Sequence, residues 1–186
     1  MNRLVESSAA ETRLAAAREF LLAQESEVVV LAPTRPAADD FVRAAAAGGR
    51  GLFGVYRMTP GMLAAEMATP ALAERGLAPV GRLGLEALAA RGVHDCPSLA
   101  YFQPVAEMRG FARALASTLD ELRLEGVRPE DLDASGDAGR DLARLLVAYE
   151  SALEERSLAD RRMVFELAGT RPSARSVVLL DVAPRN

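Results

Sequence analysis

Lysine is missing altogether: all 22 basic residues of this 186-residue chain are arginine. That absence excludes a Schiff-base lysine, a Ser–Lys dyad and the lysine of a phosphate-gripping loop. Tryptophan is absent too, and aromatics are only 5% of the residues, so a core has to be built from Leu, Val and Ala, which favours closely packed helices. The single cysteine, Cys96, excludes an internal disulfide. No apolar run reaches the ~20 residues of a bilayer-crossing helix. The N-terminus carries Glu6 and Glu11 and lacks the unbroken apolar stretch of a secretory signal, so a cytoplasmic protein is expected. The formal net charge is −4, so no global positive field announces nucleic acid, although arginines gathered on one face would do so locally.

What is present is half apolar, enough for one domain or one domain with an insert. Residues 27–32 (Glu-Val-Val-Val-Leu-Ala) and 176–181 (Ser-Val-Val-Leu-Leu-Asp) are short runs of the kind that parallel strands show when both faces are covered. Residues 52–56 are a weaker third strand and 3–6 a fourth. Helical spacing covers 9–23, with Ser7 or Ser8 as N-cap and Glu11 three residues after Ser8 as in a capping box. Residues 36–47 follow, with Pro36 in the first turn and Gly48-Gly49 as the stop, and then 60–67, which opens on Pro60.

Strand and helix alternate to this point, which predicts a parallel sheet. From about 70 to 168 only helical signals appear, over 83–90, 104–124, 139–155 and 158–168. The clearest stripe is Phe111, Leu115, Leu119 and Leu122. The expected architecture is therefore α/β: a short parallel sheet of about four strands flanked by helices, from residues 1–69 and 170–186. An all-helical subdomain, 70–169, is inserted before the last strand. A terminal parallel strand with no helix after it leads us to expect a piece of a longer protein.

Chemistry concentrates at the strand ends. Residues 30–39 (Val-Leu-Ala-Pro-Thr-Arg-Pro-Ala-Ala-Asp) deliver a Pro-Thr-Arg turn into a helix start, where a hydroxyl and free N–H groups can meet phosphate and Arg35 adds charge. The same residues also read as a plain strand-to-helix turn with Thr34 as N-cap. Residues 54–59 end a second strand at Thr59. There Arg57 and Tyr56 read either as a phosphate and base-stacking pair or as a packed Tyr beside a solvated Arg. The last strand ends at Asp181, followed by Val182.

His94 and Cys96 give two metal ligands where three or four are needed. Asp39-Asp40, Asp131 with Asp133, and Asp160 read as solvated helix starts and turns. The mixed charges Arg109, Arg113, Arg123, Asp120, Glu121 and Glu125 read as exposed helix surface.

In order and spacing most of the chain resembles the degenerate helicase-like N-terminal part of bacterial PD-(D/E)XK nucleases of the AddB/RexB type, within UvrD-like superfamily 1. The resemblance implies a P-loop-NTPase-like fold. The Pro-Thr-Arg turn matches motif Ia, which implies single-stranded DNA contact by Thr34 and Arg35. The next strand end is a looser match, implying Arg57 and Thr59. Asp181 matches the Walker B aspartate, but Val182 stands where its glutamate belongs.

The phosphate loop should occupy residues 6–12, and Glu6-Ser-Ser-Ala-Ala-Glu-Thr12 has neither glycine nor lysine. Ser7, Ser8 and Asp181 would thus mark a degenerate nucleotide site without cofactor or metal. The implied function is a non-catalytic module of a DNA repair or recombination nuclease, with single-stranded DNA and the downstream helicase-like and nuclease domains of the parent exonuclease as partners, and no membrane. Two other readings stay open: a scaffold domain without DNA binding, and a small-molecule enzyme of the doubly wound type. No convergent acid, base and nucleophile set favours the enzyme.

Overall fold

The computed structural model describes residues 3–49, 51–170 and 175–182. The chain divides into two compact units, residues 1–67 with 171–186, and residues 68–170.

The first unit is α/β. It contains α1 (Ala10–Leu22), β1 (Val28–Leu31), α2 (Arg35–Ala46), β2 (Val55–Met58), the start of α3 (Pro60–Glu74) and β5 (Ser176–Leu179). Its three strands run parallel in the order β2-β1-β5. Val28 of β1 is aligned with Val55 on one side and Ser176 on the other. The uninterrupted Val-Val-Val-Leu run suits the central position, because every residue of β1 is buried and its side chains alternate between two covered faces. Each such valine contributes about 1.5–3 kcal/mol on burial. Val28 and Val30 pack in one cluster with Leu21 of α1, Ala38, Phe41, Val42 and Ala45 of α2, and Val178 of β5.

Several expectations are corrected here. Residues 3–6 form no strand, so the described sheet has three strands rather than four. Two apolar residues between Arg3 and Glu6 cannot cover both faces of a strand, and Leu4 is 83% exposed. Neither Ser7 nor Ser8 caps α1. The cap position is Ala9, without a side-chain bond, and Ser7 Oγ accepts from the Ala9 N–H at 3.2 Å. Glu11 consequently falls second in the helix, too early for a capping box. The strand expected over 52–56 begins at Val55, because Gly54 turns the backbone into the left-handed region (φ 68°) just before it. Helix α3 runs on past Pro70 to Glu74.

The second unit carries α4 (Arg82–Asp95), α5 (Phe111–Leu124), α6 (Pro129–Leu132), α7 (Gly136–Glu155) and α8 (Arg161–Gly169). Leu88, Leu115, Leu119, Leu145, Leu146, Tyr149 and Leu153 form its core. The unit is not purely helical. β3 (Ala78–Pro79) and β4 (Leu158–Ala159) pair in parallel, a two-residue match too short to leave a periodic signal in the sequence. Helix α5 starts at Phe111, after Gly110 at φ 91°, not near 104.

The loop before α5 is tied down by Asp141 of α7. Its carboxylate accepts the N–H groups of Ala100 (3.1 Å), Tyr101 (2.7 Å) and Phe102 (3.1 Å).

Two charged residues read as solvated are enclosed instead. Asp160 is 1% exposed, caps α8 by accepting from Met163 N–H (3.1 Å), and binds Arg123, which also reaches Glu150. Enclosure without a partner would be far costlier than leaving either charge in water, so the pairing goes with the burial. No helix among the described residues is long and apolar enough to cross a membrane.

Candidate functional site

Helix α2 starts where β1 delivers the chain. Thr34 caps it, its Oγ1 accepting from the Ala37 N–H at 3.4 Å, and Pro36 sits in the first turn, where a missing N–H costs nothing. From that start, positions 35, 39, 42, 43 and 46 recur at three- and four-residue steps and share a face. Beside that face lies β2, which brings Arg57 level with Val30 of the central strand. Between them is a groove of about 520 Å³ lined by Arg35, Asp39, Val42, Arg43, Ala46, Leu52 and Arg57. One end is charged, and the floor toward Ala46 and Leu52 is apolar.

The electrostatics of the charged end are specific. Asp39 places one carboxylate oxygen 3.9 Å from Arg35 Nε and the other 3.6 Å from Arg57 Nε. Both separations exceed a good charge-assisted hydrogen bond, so attraction through space holds the trio together. Arg43 pairs with Asp40 at 2.6 Å, out on the surface. The chain is acidic overall, yet the lining of this groove is cationic, with three guanidiniums against one carboxylate.

Of the residues expected from sequence, Arg35 and Arg57 meet in this groove. Thr34 stands exposed at the helix start. Thr59 does not line the groove; it heads α3, where its Oγ1 accepts from Met62 N–H at 3.3 Å. Tyr56 does not join Arg57 in lining this groove. Neighbours on a strand point to opposite faces, and the Tyr56 hydroxyl donates to Glu27 at 2.9 Å while Arg175 lies 5.0 Å above the ring. That hydrogen bond raises the phenol above its ordinary value. Asp39 is not a plain solvated helix start but part of the groove lining. Sequence reasoning missed its role, and those of Arg43 and Leu52. The i, i+4 spacing of Arg35 and Asp39 was the available signal.

Two of the three residues expected at a degenerate nucleotide site, Ser7 and Asp181, are engaged by a residue the sequence did not single out. Arg13 of α1 donates from Nε and Nη2 to the Asp181 carboxylate (3.2 and 3.4 Å) and from Nη1 to the Ser7 carbonyl. Asp181 takes a left-handed conformation (φ 48°), which aspartate tolerates better than most residues. Ser8 is exposed in the segment leading to α1. A protein cation thus sits against the carboxylate at the end of β5. No protein-family model matches this chain, and no curated protein is similar to it at a significant level.

Proposed function

We propose that this chain is a non-catalytic, helicase-like module that binds the phosphate backbone of single-stranded DNA in the α2–β2 groove, as part of a cytoplasmic DNA repair or recombination nuclease. The observation that carries the reading is the meeting of Arg35 and Arg57 in one groove beside parallel strands, in a chain that is otherwise acidic. Arg57 lies on β2 and Arg35 follows β1, at the strand ends where open parallel sheets take their ligands. Guanidiniums recognise phosphate bidentately, and the apolar floor suits a sugar or base edge.

ATP hydrolysis is not part of the proposal. The chain has no lysine, and Arg13 already engages Ser7 and Asp181. A P-loop-NTPase-like ancestry of the sheet belongs to the same reading, supported by the resemblance of residues 30–39 to motif Ia and by three parallel strands ordered β2-β1-β5.

The test is titration of a labelled oligothymidylate of about 12 nucleotides with the wild type, Arg35→Ala and Arg57→Ala, at about 50 and 200 mM salt. Binding that weakens with salt, is lowered by each substitution, and has a salt slope reduced by about one per arginine removed supports the reading. Absence of binding at low salt removes it and leaves the scaffold role.

A further inference from the structure

We infer that Asp39 is the groove's built-in counter-anion, and that it narrows the advantage the Arg35–Arg57 pair would otherwise give a doubly charged terminal or free phosphate over a singly charged phosphodiester. The inference rests on the groove being a phosphate site and adds what that site selects.

The geometry carries it. One carboxylate oxygen serves each guanidinium, at 3.9 and 3.6 Å, so Asp39 neutralises both partially and binds neither tightly. The Asp39 side chain is 33% exposed and the two arginines are 52% and 44% exposed, so an incoming anion can reach the trio from solvent. An oxyanion at hydrogen-bonding distance displaces such long contacts, because charge-assisted bonds strengthen steeply as they shorten. After displacement the carboxylate stays tethered one helical turn from Arg35, as a like charge beside the bound phosphate.

Two guanidiniums against one carboxylate leave one net positive charge where two would stand without Asp39. A phosphomonoester or free phosphate carries up to twice the charge of a phosphodiester near neutral pH, so it gains up to twice as much from the arginines and loses up to twice as much to Asp39, and the carboxylate takes most from the dianion. Arg43, the remaining cation of the lining, is engaged by Asp40 and changes this balance little.

The experiment compares wild type, Asp39→Asn and the control Glu25→Gln by anisotropy of the labelled oligothymidylate, made without a terminal phosphate. Inorganic phosphate is then added as competitor at a pH where it is mainly dianionic. Thermal melts confirm that all three proteins are folded. Glu25→Gln changes the net charge identically at an exposed residue that does not line the groove.

The expected result is that Asp39→Asn tightens oligonucleotide binding roughly three- to tenfold, the scale of two exposed ion pairs released. Its gain for inorganic phosphate is larger still, whereas Glu25→Gln changes both little. Equal behaviour of the two variants overturns the inference, because the effect is then general charge. Weaker binding by Asp39→Asn also overturns it, since Asp39 then positions the arginines. A wild type that binds no oligonucleotide at low salt fails at the earlier step and takes both readings with it, whereas binding with no difference between the variants sinks this one alone.

Discussion

Replacing Asp141 by alanine is expected to be among the most damaging single changes in the helical unit, although the residue is polar. Its side chain sits on α7, 1% exposed, and accepts three consecutive backbone N–H groups from the loop ahead of α5. Burial pushes the carboxyl pKa up, but the three N–H donors, with Arg144 nearby, outweigh burial and hold it below the usual carboxylate range. A hydrogen bond to a charged group is worth about 1.5–3 kcal/mol, and each stranded donor costs about 1–3 kcal/mol. The loop can turn part of its backbone to water, since Tyr101 is already exposed, so the total falls short of three full penalties. About 3–5 kcal/mol is expected for Asp141→Ala, a large share of a typical domain's 5–15 kcal/mol.

Urea unfolding followed by far-UV circular dichroism measures this as a lower midpoint at unchanged slope. The pH dependence gives an independent check. The folded pKa is depressed, so the stabilisation is fully present above the unfolded value of about 3.9 and is lost as pH falls through the folded value. The gap between wild type and variant must therefore narrow on acidification below about pH 4. A destabilisation under ~1 kcal/mol, or a gap constant with pH, refutes the argument that this carboxylate anchors the loop.

Tyr149→Phe is expected to change stability by less than about 1 kcal/mol despite the residue's complete burial, because among the described residues the hydroxyl has no hydrogen-bond partner to lose; thermal denaturation checks it. Gly139→Ala should destabilise by about 1–3 kcal/mol or more, since the added Cβ would lie 2.0 Å from the Leu132 carbonyl oxygen, a backbone atom with little room to retreat; a urea midpoint equal to wild type would contradict this.

Much of the α/β layout was legible because it rests on local patterns. The Val-Val-Val-Leu run of β1 is short but uninterrupted and mostly β-branched, and it reads as a strand within a residue of its bounds. Helix α2 was equally clear from the Pro at its start and the glycines after its end. The failures have local causes as well. Residues 3–6 hold too few apolar groups for a strand, and the two-residue pair β3–β4 is shorter than any period that could reveal it. Strand alternation is a sequence-level rule that separates Tyr56 from Arg57, neighbours on opposite faces of β2.

Composition and local pattern fix what the chain is made of: no lysine for a phosphate loop, one central strand apolar enough to be covered on both faces, and arginine as the sole source of permanent positive charge. Which arginines act together is set by how the elements pack. Arg57 reaches Asp39 because β2 lies beside β1 and next to α2, and Arg13 reaches Asp181 across 168 positions of chain. Propensity and periodicity act over a few residues, whereas an electrostatic site is set by distances of 3–4 Å in space. Within one helix a four-residue spacing brings Arg35 to Asp39, but between separate segments those distances follow from how strands and helices pack, and no spacing along the chain encodes them.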